Sequence, residues 1–290
     1  MRNLEFEKWH GTGNDFVLCS QSAAEEFTSD IAELSRKMCA RHFGIGSDGL
    51  LLIGKSSVGD YQMRMWNPDG SEAQMCGNGL RCVVAHLKNH GLIQGDSVVK
   101  METGKGVLDC EFVTPPDWGN PDDVWVRVDM GQPVTERHSI PVAGDGMSPV
   151  VLETLNVPGI DEELQFTGIS MGNPHAVIFV DKLESVPLGK WGPMIEKHTS
   201  LFPEKVNTEF VEVIDENHVM MAVWERGAGP TLSCGSGTCA IQAACHLTGK
   251  ASDELRVDVP GGSLLTRYTS DGRIHMSGPA VKVFDGMWVE

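Results

Sequence analysis

The sequence predicts a mixed α/β (α+β) protein of two pseudo-symmetric domains, each a β-rich sheet or barrel wrapped on a central helix. Three observations predict this: an internal repeat, alternating β-branched runs, and one helical segment in each repeat that directly follows a cysteine-glycine motif. A chain of 290 residues, 41% of them hydrophobic, can bury two cores of ordinary domain size. We expect domains at 1–129 plus 278–290 and at 130–277, with the active site in the cleft between them.

The internal repeat appears when the chain is shifted on itself by 158 residues, the interval between Cys76 and Cys234. The shift also aligns Trp66 with Trp224, Gly91 with Gly249 and, at an offset of 159, Asn14 with Asn173. The same order of elements therefore occurs twice, which indicates two similar domains.

Helices and strands follow from the spacing of the apolar residues. Leu80, Val83, Val84 and Leu87 have the spacing of an amphipathic helix that ends near Gly91, and a second helix is predicted over 238–247. Alternating or β-branched runs predict strands at 124–128, 176–180, 210–213 and 256–259. The segment 115–123 is predicted to be a surface loop, and 128–133 is the candidate domain junction.

The charge balance restricts the partners of the protein. The net charge of -17 argues against nucleic acid or an anionic membrane surface. We expect a cytoplasmic protein, because no segment resembles a signal peptide or a membrane span. Eight cysteines in a chain of this length are too sparse for a disulfide scaffold, so we expect reduced thiols.

The motifs Cys76-Gly-Asn-Gly79 and Cys234-Gly-Ser-Gly237 carry the chemistry that the sequence predicts. A helix start has unpaired backbone N–H groups and a positive dipole end, which favour a thiolate and can bind a carboxylate. One such cysteine would indicate a nucleophile, whereas two indicate a paired acid and base. The alternative is two structural thiols, which would have no need of glycines that leave the backbone amides open to a ligand.

No metal and no cofactor are predicted. The pairs Cys76/Cys82 and Cys234/Cys239 have five and four intervening residues, unlike the tight knuckles of zinc sites. Residues 44–49 match G-x-G-x-x-G, but a helical pattern precedes them and an apolar strand pattern follows, the reverse of a dinucleotide-binding fingerprint. We interpret them as a turn that leads into a strand.

His175 and the pair Glu225-Arg226 have ordinary explanations as well as functional ones. A single histidine is more often structural, and an acidic-basic pair is commonly a surface ion pair. The repeat places Glu225-Arg226 nine residues before a cysteine motif, which favours a position near the predicted cleft.

Taken together, these motifs resemble the diaminopimelate epimerase family of amino-acid racemases and epimerases that act without a cofactor. The similarity covers nearly the whole chain, at residues 10–16, 41–50, 67–72, 75–82, 172–177, 207, 224–240, 278–280 and 285–286. It implies two pseudo-symmetric α/β domains, a C-terminal segment that returns to the first domain, and a homodimer. It also implies an isomerase that interconverts LL- and meso-2,6-diaminopimelate for lysine and peptidoglycan precursor synthesis.

The resemblance also assigns roles to individual residues. Cys76 and Cys234 would be the two bases, supported by His175 and Glu225. The substrate-binding groups would be Asn14, Asn67, Asn173, Asn207, Glu225 and Arg226, together with the amides of Gly77, Asn78, Gly235 and Ser236. Gly49 and Pro230 depart from the family pattern, and Gly49 removes one side chain that contacts substrate in some members. Two alternatives stay open: a racemase of proline, hydroxyproline or histidine, and an amino-acid-binding protein without catalysis.

Overall fold

The computed structural model describes residues 2–93 and 98–290, and the chain forms two compact units. The N-unit comprises residues up to Asp129 together with Ser277–Glu290, and the C-unit comprises Met130–Met276. The division expected from the sequence places the last boundary one residue later, after position 277.

Among its described residues, the N-unit contains eight long strands, one short strand and three helices, and the last of these strands begins three residues before the unit boundary, at Ile274. They are β1 (Asn3–Gly11), β2 (Asn14–Ser20), α1 (Gln21–Phe27), α2 (Ile31–Cys39), β3 (Gly49–Lys55), β4 (Tyr61–Trp66), β5 (Glu72–Ala73), α3 (Gly77–Asn89), β6 (Val99–Thr103), β7 (Gly106–Val113), β8 (Val124–Asp129) and the C-terminal strand, Ile274–Val289.

Long strands of the N-unit close into an eight-stranded barrel. The order runs from the C-terminal strand through β1, β2, β3, β4, β6, β7 and β8, and β8 pairs again with the C-terminal strand. The pairs β2/β3 and β4/β6 are parallel and need crossover connections, which contain α1, α2 and α3. The predicted return of the C-terminal segment to the first domain is confirmed, because 281–289 pair with β1 from Asn3 to His10.

Helix α3 is the central helix of this barrel. It contacts β1, β2, β3, β4 and β8, and all its residues from Gly77 to Ala85 are buried. The stripe read from the sequence faces the barrel, where Leu80, Val83 and Leu87 are fully buried. The helix ends at Asn89, and Gly91 takes a left-handed φ of 66° that lets the chain turn away.

The C-unit repeats this plan. Its elements are β9 (Glu153–Leu155), β10 (Leu164–Ser170), β11 (Pro174–Val180), α4 (Leu188–Glu196), β12 (Asn207–Asp215), β13 (His218–Glu225), β14 (Gly229–Pro230), α5 (Gly235–Thr248), β15 (Glu254–Val259) and β16 (Gly262–Tyr268), so the C-terminal strand of the barrel is β17. Short 3₁₀ turns lie at Arg137–Ser139 and Leu183–Ser185.

The pairing of the strands confirms the internal repeat. In the N-unit, β1, β2, β3, β4, β6 and β7 are joined antiparallel, parallel, antiparallel, parallel and antiparallel. In the C-unit, β10, β11, β12, β13, β15 and β16 are joined in the same sequence of directions. The register agrees as well: Leu51 pairs with Met65, and the residues 158 positions later, Glu209 and Val223, also pair.

Helix α5 is the counterpart of α3. It packs against β10, β11, β12 and β16, and it is buried from Thr238 to Cys245. It begins at Gly235, three residues before the predicted start, because Cys234 caps the first turn and offsets the poor helix propensity of the glycines. Gly249, with φ of 65°, terminates it as predicted.

Further expectations from the sequence, on the strands, on one turn and on six cysteines, are confirmed by the structure. The four predicted strands lie within β8, β11, β12 and β15, and 44–48 form turns that lead into β3. Six cysteines outside the two motifs are buried as small apolar residues: Cys19, Cys39, Cys82, Cys110, Cys239 and Cys245. In the part of the chain that the structure describes, no helix is long and apolar enough to span a membrane.

Candidate active site

Cys76 and Cys234 occupy the same local structure in the two units. Each is the residue before a helix, has an extended backbone, and accepts a hydrogen bond at Sγ from the backbone N–H three residues later. The distances are 3.5 Å from Gly79 N to Cys76 and 3.4 Å from Gly237 N to Cys234. A sulfur that acts as the N-cap receives the positive end of the helix dipole, which stabilises negative charge. The backbone amides of the two residues after each cysteine also lie in the first turn of the helix, where such amides can bind a carboxylate.

Around Cys76, the side chain of Asn14 links the cysteine to the helix start. The Asn14 carbonyl oxygen lies 3.7 Å from Cys76 Sγ and accepts a hydrogen bond of 3.2 Å from the Asn78 amide. The other end of Asn14 donates to Asp48 at 2.7 Å. Asn14 is therefore fixed at both ends, and two residues predicted to bind substrate lie beside the half-buried Cys76.

Arg81 supports this arrangement from inside the barrel. Its side chain is fully buried and donates to Asn78 at 2.8 Å, to the Thr12 hydroxyl at 3.3 Å and to the carbonyl of Pro279 at 3.3 Å. Gly11 makes room for it, because a Cβ there would lie 2.9 Å from the guanidinium. Arg81 thus joins three segments of the N-unit behind the helix start.

A charged network lies behind Asn14. Asp15 forms ion pairs with Lys8 at 2.5 Å and Arg41 at 2.8 Å, and Arg41 also pairs with Asp48 at 2.5 Å. Burial alone would raise the pKa of Asp15, but the hydrogen bonds from Arg41 and Lys8 outweigh it and hold the pKa below its ordinary value. The network keeps Asp48 oriented to receive the amide of Asn14.

Asn67 and Gly49 lie elsewhere in the N-unit. Asn67 closes a turn after β4, where its amide donates to the Ser71 hydroxyl at 3.0 Å, and Ser35 donates to its carbonyl. Gly49 begins β3, and a Cβ there would lie 2.8 Å from the methyl group of Met65. The packing of the strand therefore favours glycine at this position.

Around Cys234, a chain of hydrogen bonds runs from β12 to the helix start. Glu209 Oε1 lies 2.7 Å from His175 Nδ1, and both side chains are fully buried. His175 Nε2 lies 3.1 Å from the Asn173 carbonyl oxygen, and the Asn173 amide donates to Ser236 at 3.3 Å. The Ser236 hydroxyl in turn lies 3.6 Å from Cys234 Sγ.

Cys234 itself lies in a more buried and more acidic environment than its motif indicates. It is 5% exposed, and burial, together with the nearby carboxylates of Glu225 and Glu209, raises its pKa well above the ordinary value. Burial also raises the pKa of Glu225, although hydrogen bonds with Thr231, at 2.5 Å, and with Cys234 oppose this. The carboxylate of Glu225 is therefore a neighbour of the Cys234 thiol.

Asn207 and Arg226 are joined through the backbone. The Asn207 amide donates to the carbonyl of Pro174 at 2.8 Å, and its oxygen accepts from Arg226 N at 2.9 Å. The exposed guanidinium of Arg226 donates to the carbonyl of Glu204 at 3.0 Å. Glu225 and Arg226 are thus held by different partners, and the interpretation of a surface ion pair is wrong.

The repeat shows how the two cysteine environments differ. A Cβ at Gly79 would meet Leu51 Cδ2 at 3.0 Å, whereas a Cβ at the equivalent Gly237 would meet Glu209 Oε1 at 2.7 Å. The residue equivalent to Glu225, 158 positions earlier, is Asn67. Both carboxylates beside Cys234 therefore have uncharged counterparts in the N-unit.

Within residues 2–93 and 98–290, one group of side chains brings three metal-ligating atoms within 4.8 Å of one another: Glu7, His86 and His90. It lies near the end of α3 opposite to Cys76. The Glu7 carboxylate also accepts from Trp9 at 2.7 Å and Lys282 at 2.9 Å. Four side chains thus contact the two oxygens of the Glu7 carboxylate, and these hydrogen bonds connect α3, β1 and β17.

Several residues of the site carry signals that the sequence analysis did not use. Glu209 is a carboxylate within the buried part of β12, and a buried carboxylate in a strand marks a polar contact. Arg81 is a charged residue within an apolar helix, and it also needs a buried acceptor. Thr12 and Asp48 lie inside segments 10–16 and 41–50, which carry the family resemblance, but the sequence analysis assigns no role to either residue.

The fold is shared with solved structures that include a PhzF-family protein and a hydroxyproline epimerase. A phenazine biosynthesis protein of the PhzF family from Bacillus anthracis shares the fold with a TM-score of 0.71 and 17% identity, with 100% of each chain covered. A hydroxyproline epimerase from Agrobacterium vitis gives a TM-score of 0.67 and 15% identity over 99% of this chain and 92% of the other. At this identity the likeness establishes the fold.

The family follows from the sequence matches. The family model of diaminopimelate epimerase matches residues 6–136 and 167–283. Diaminopimelate epimerase of Desulfitobacterium hafniense is 43% identical over 289 residues, 99% of each chain, and that of Methanococcus maripaludis is 42% identical over 98% of this chain and 99% of the other. The chain belongs to the diaminopimelate epimerase family and is an enzyme of the isomerase class.

Proposed function

We propose that the protein interconverts LL- and meso-2,6-diaminopimelate by a two-base proton transfer in which Cys76 and Cys234 are the acid and the base. The observation that carries the proposal is the equivalent placement of the two thiols, each capping a buried helix within one repeat. Inversion of a stereocentre needs a proton to leave one face of the carbon and another to arrive at the opposite face. Two groups of one chemical type can exchange these roles with the direction of reaction.

Stabilisation of the carbanion is the main energetic demand, because an amino-acid α-proton is very weakly acidic. The amides of Gly77, Asn78, Gly235 and Ser236 lie at helix starts, where fixed N–H donors and the positive dipole end stabilise an oxyanion. We assign these amides to the reacting carboxylate of the substrate. The charge that develops as the proton leaves then falls on preorganised donors.

The second amino-acid end of the substrate requires further polar groups. Asn67, Asn207 and Arg226 supply donors and acceptors, with Asn14, Asn173 and Glu225 nearer to the cysteines. A shorter amino acid would not reach the exposed guanidinium of Arg226 from the reacting centre, so it would form fewer of these polar contacts. This favours diaminopimelate over proline, hydroxyproline or histidine as the substrate.

We further infer that the protein works in the cytoplasm as a homodimer, in lysine and peptidoglycan precursor synthesis. The eight cysteines, all of which lie in the described part of the chain, form no disulfide, which suits a reducing compartment. Val283, Phe284, Met287 and Val289 are exposed apolar residues of β17, so this strand offers apolar surface to a second copy. Light scattering should then give twice the mass of one chain, and a single-chain mass at micromolar concentration would contradict the dimer.

Activity is tested by incubating the protein with LL-diaminopimelate and resolving the stereoisomers by chiral chromatography. We expect an equilibrium mixture with the meso form, and no racemisation of proline, hydroxyproline or histidine at the same enzyme concentration. Conversion of proline in preference to LL-diaminopimelate would favour the related racemases. Binding of diaminopimelate without conversion would favour a binding protein.

A further inference from the structure

We infer that Glu209, held by His175, is a positioning residue that keeps Cys234 as the thiol of the resting enzyme and thereby makes Cys76 the first base. The inference rests on the proposed two-cysteine function and adds a division of roles between the cysteines. The observation behind the inference is that the buried carboxylate of Glu209, on β12, lies beside the first turn of α5. At the equivalent position the N-unit has Leu51.

Glu209 and Cys234 are close neighbours. The position of a Cβ at Gly237 lies 2.7 Å from Glu209 Oε1 and 3.2 Å from Cys234 Sγ, so the two atoms are less than about 6 Å apart. Within this range a carboxylate opposes the formation of a thiolate, and the effect is strong because both groups are shielded from water. Gly237 keeps the space between them free of side-chain atoms.

Glu209 has an unusual balance of partners for a buried carboxylate. Oε1 is held by His175 at 2.7 Å, whereas Oε2 is buried and has no hydrogen-bond partner among residues 2–93 and 98–290. A buried polar atom without a partner is costly, so a purely structural role would be better served by an apolar residue. The equivalent Leu51 in the N-unit shows that the fold accepts an apolar residue at this position.

The remaining charged groups around α5 do not reverse this effect. Glu225 on β13 adds a second carboxylate beside Cys234, and His175 on β11 contacts Glu209. Strand β10 has no ionisable residue. On β16, Arg267 pairs with Glu254, and Tyr268 stacks on His246 near the other end of α5. The field at Cys234 is therefore set by two carboxylates, and neither has a charged counterpart in the N-unit.

The roles follow from this asymmetry. When the substrate binds, Cys234 carries the proton that it will deliver, and Cys76 removes the α-proton from the opposite face. After delivery, Cys234 is a thiolate beside two carboxylates, which favours its reprotonation. Proton count is conserved, because the proton taken by Cys76 replaces the one lost from Cys234.

The test measures the alkylation of Cys234 by iodoacetamide as a function of pH in the Cys76→Ser protein, with the modified peptide identified by mass spectrometry. Only the thiolate reacts, so the midpoint of the rate profile reports the ionisation of Cys234. Glu209→Gln keeps the shape of the side chain but removes its charge. Glu209→Leu introduces the residue that stands at the equivalent position of the N-unit, Leu51. Glu212→Gln, on the same strand but paired with Lys182, is the matched control.

We expect the midpoint to fall by about one pH unit or more in both Glu209 variants, which raises the alkylation rate at neutral pH about tenfold, and to stay unchanged in Glu212→Gln. An unchanged midpoint in Glu209→Gln and Glu209→Leu would overturn the inference. Because alkylation needs no turnover, that failure leaves the proposed epimerase function standing. Epimerase activity in Cys234→Ser would instead overturn the proposed function.

Discussion

Leu51 and Glu209 occupy equivalent positions in the two halves of the repeat, each beside the first turn of the helix that its cysteine caps. Two copies of one structural plan thus give their thiols different surroundings, apolar on one side and acidic on the other. In a reaction that takes a proton from one face of a carbon and delivers one to the opposite face, such a difference sets which of two chemically identical groups carries the proton first.

The cysteines should be individually essential. Cys76→Ser and Cys234→Ser each remove a proton-transfer group, so the rate of epimerisation should fall by at least about 10²–10⁴-fold. The measurement is the rate of meso formation from LL-diaminopimelate. Cys82→Ala, a buried cysteine on α3 outside the motif, should keep most of the activity. Full activity of either serine variant would refute the two-base assignment.

The pH profile should depend on Glu225. Its carboxylate raises the pKa of Cys234, after the larger effect of burial, so Glu225→Gln removes part of the opposition to the thiolate. The pKa of Cys234 then falls, the thiol is lost at lower pH, and the alkaline limb of kcat/KM should shift to lower pH. A shift in the opposite direction would contradict the electrostatic role.

Two equivalent glycines should respond differently to alanine. In Gly237→Ala the new Cβ lies 2.7 Å from the Glu209 carboxylate, which His175 holds in place, whereas in Gly79→Ala it lies 3.0 Å from the flexible end of Leu51. We expect kcat of Gly237→Ala to be at least about tenfold below that of Gly79→Ala, because small displacements of reacting groups are costly. Equal values would show that the space beside Cys234 is not critical.

Arg81 should matter for stability as well as for the site. Arg81→Met removes the donor shared by Asn78, Thr12 and the carbonyl of Pro279, so the free energy of unfolding in urea should fall by about 1–3 kcal/mol. The control Arg64→Met removes an ion pair with Glu72 that is about one-third to one-half exposed, and it should change stability by less than about 1 kcal/mol. A loss no larger than that of the control would mean that Arg81 is not needed to hold the helix start.

The sequence predicts much of this fold because its signals are local. The repeat, the helix stripe and the left-handed glycines each depend on residues a few positions apart, and the strand pairing confirms the repeat. The motifs also place both cysteines at helix starts. The start of α5 was predicted three residues late, because a side-chain cap can begin a helix at residues of poor propensity.

The charges around the site were harder to foresee. Glu209 reaches Cys234 from another strand, and Asp48 reaches Asn14 across 34 positions of the chain. Such contacts depend on strand register and on which face of a strand is buried, and neither is fixed by spacing alone. The burial of Arg81 could not be predicted from α3 alone, because one of its acceptors is the carbonyl of Pro279. The C-terminal strand brings that carbonyl back to the first unit.

The most direct test of the central claim is the exchange of solvent deuterium into LL-diaminopimelate, compared between the wild-type protein and each cysteine variant by NMR and chiral chromatography. We predict that the wild type forms meso-diaminopimelate with deuterium at the inverted α-carbon, and that Cys76→Ser and Cys234→Ser form none. Formation of the meso product by either variant at the wild-type rate would contradict the account.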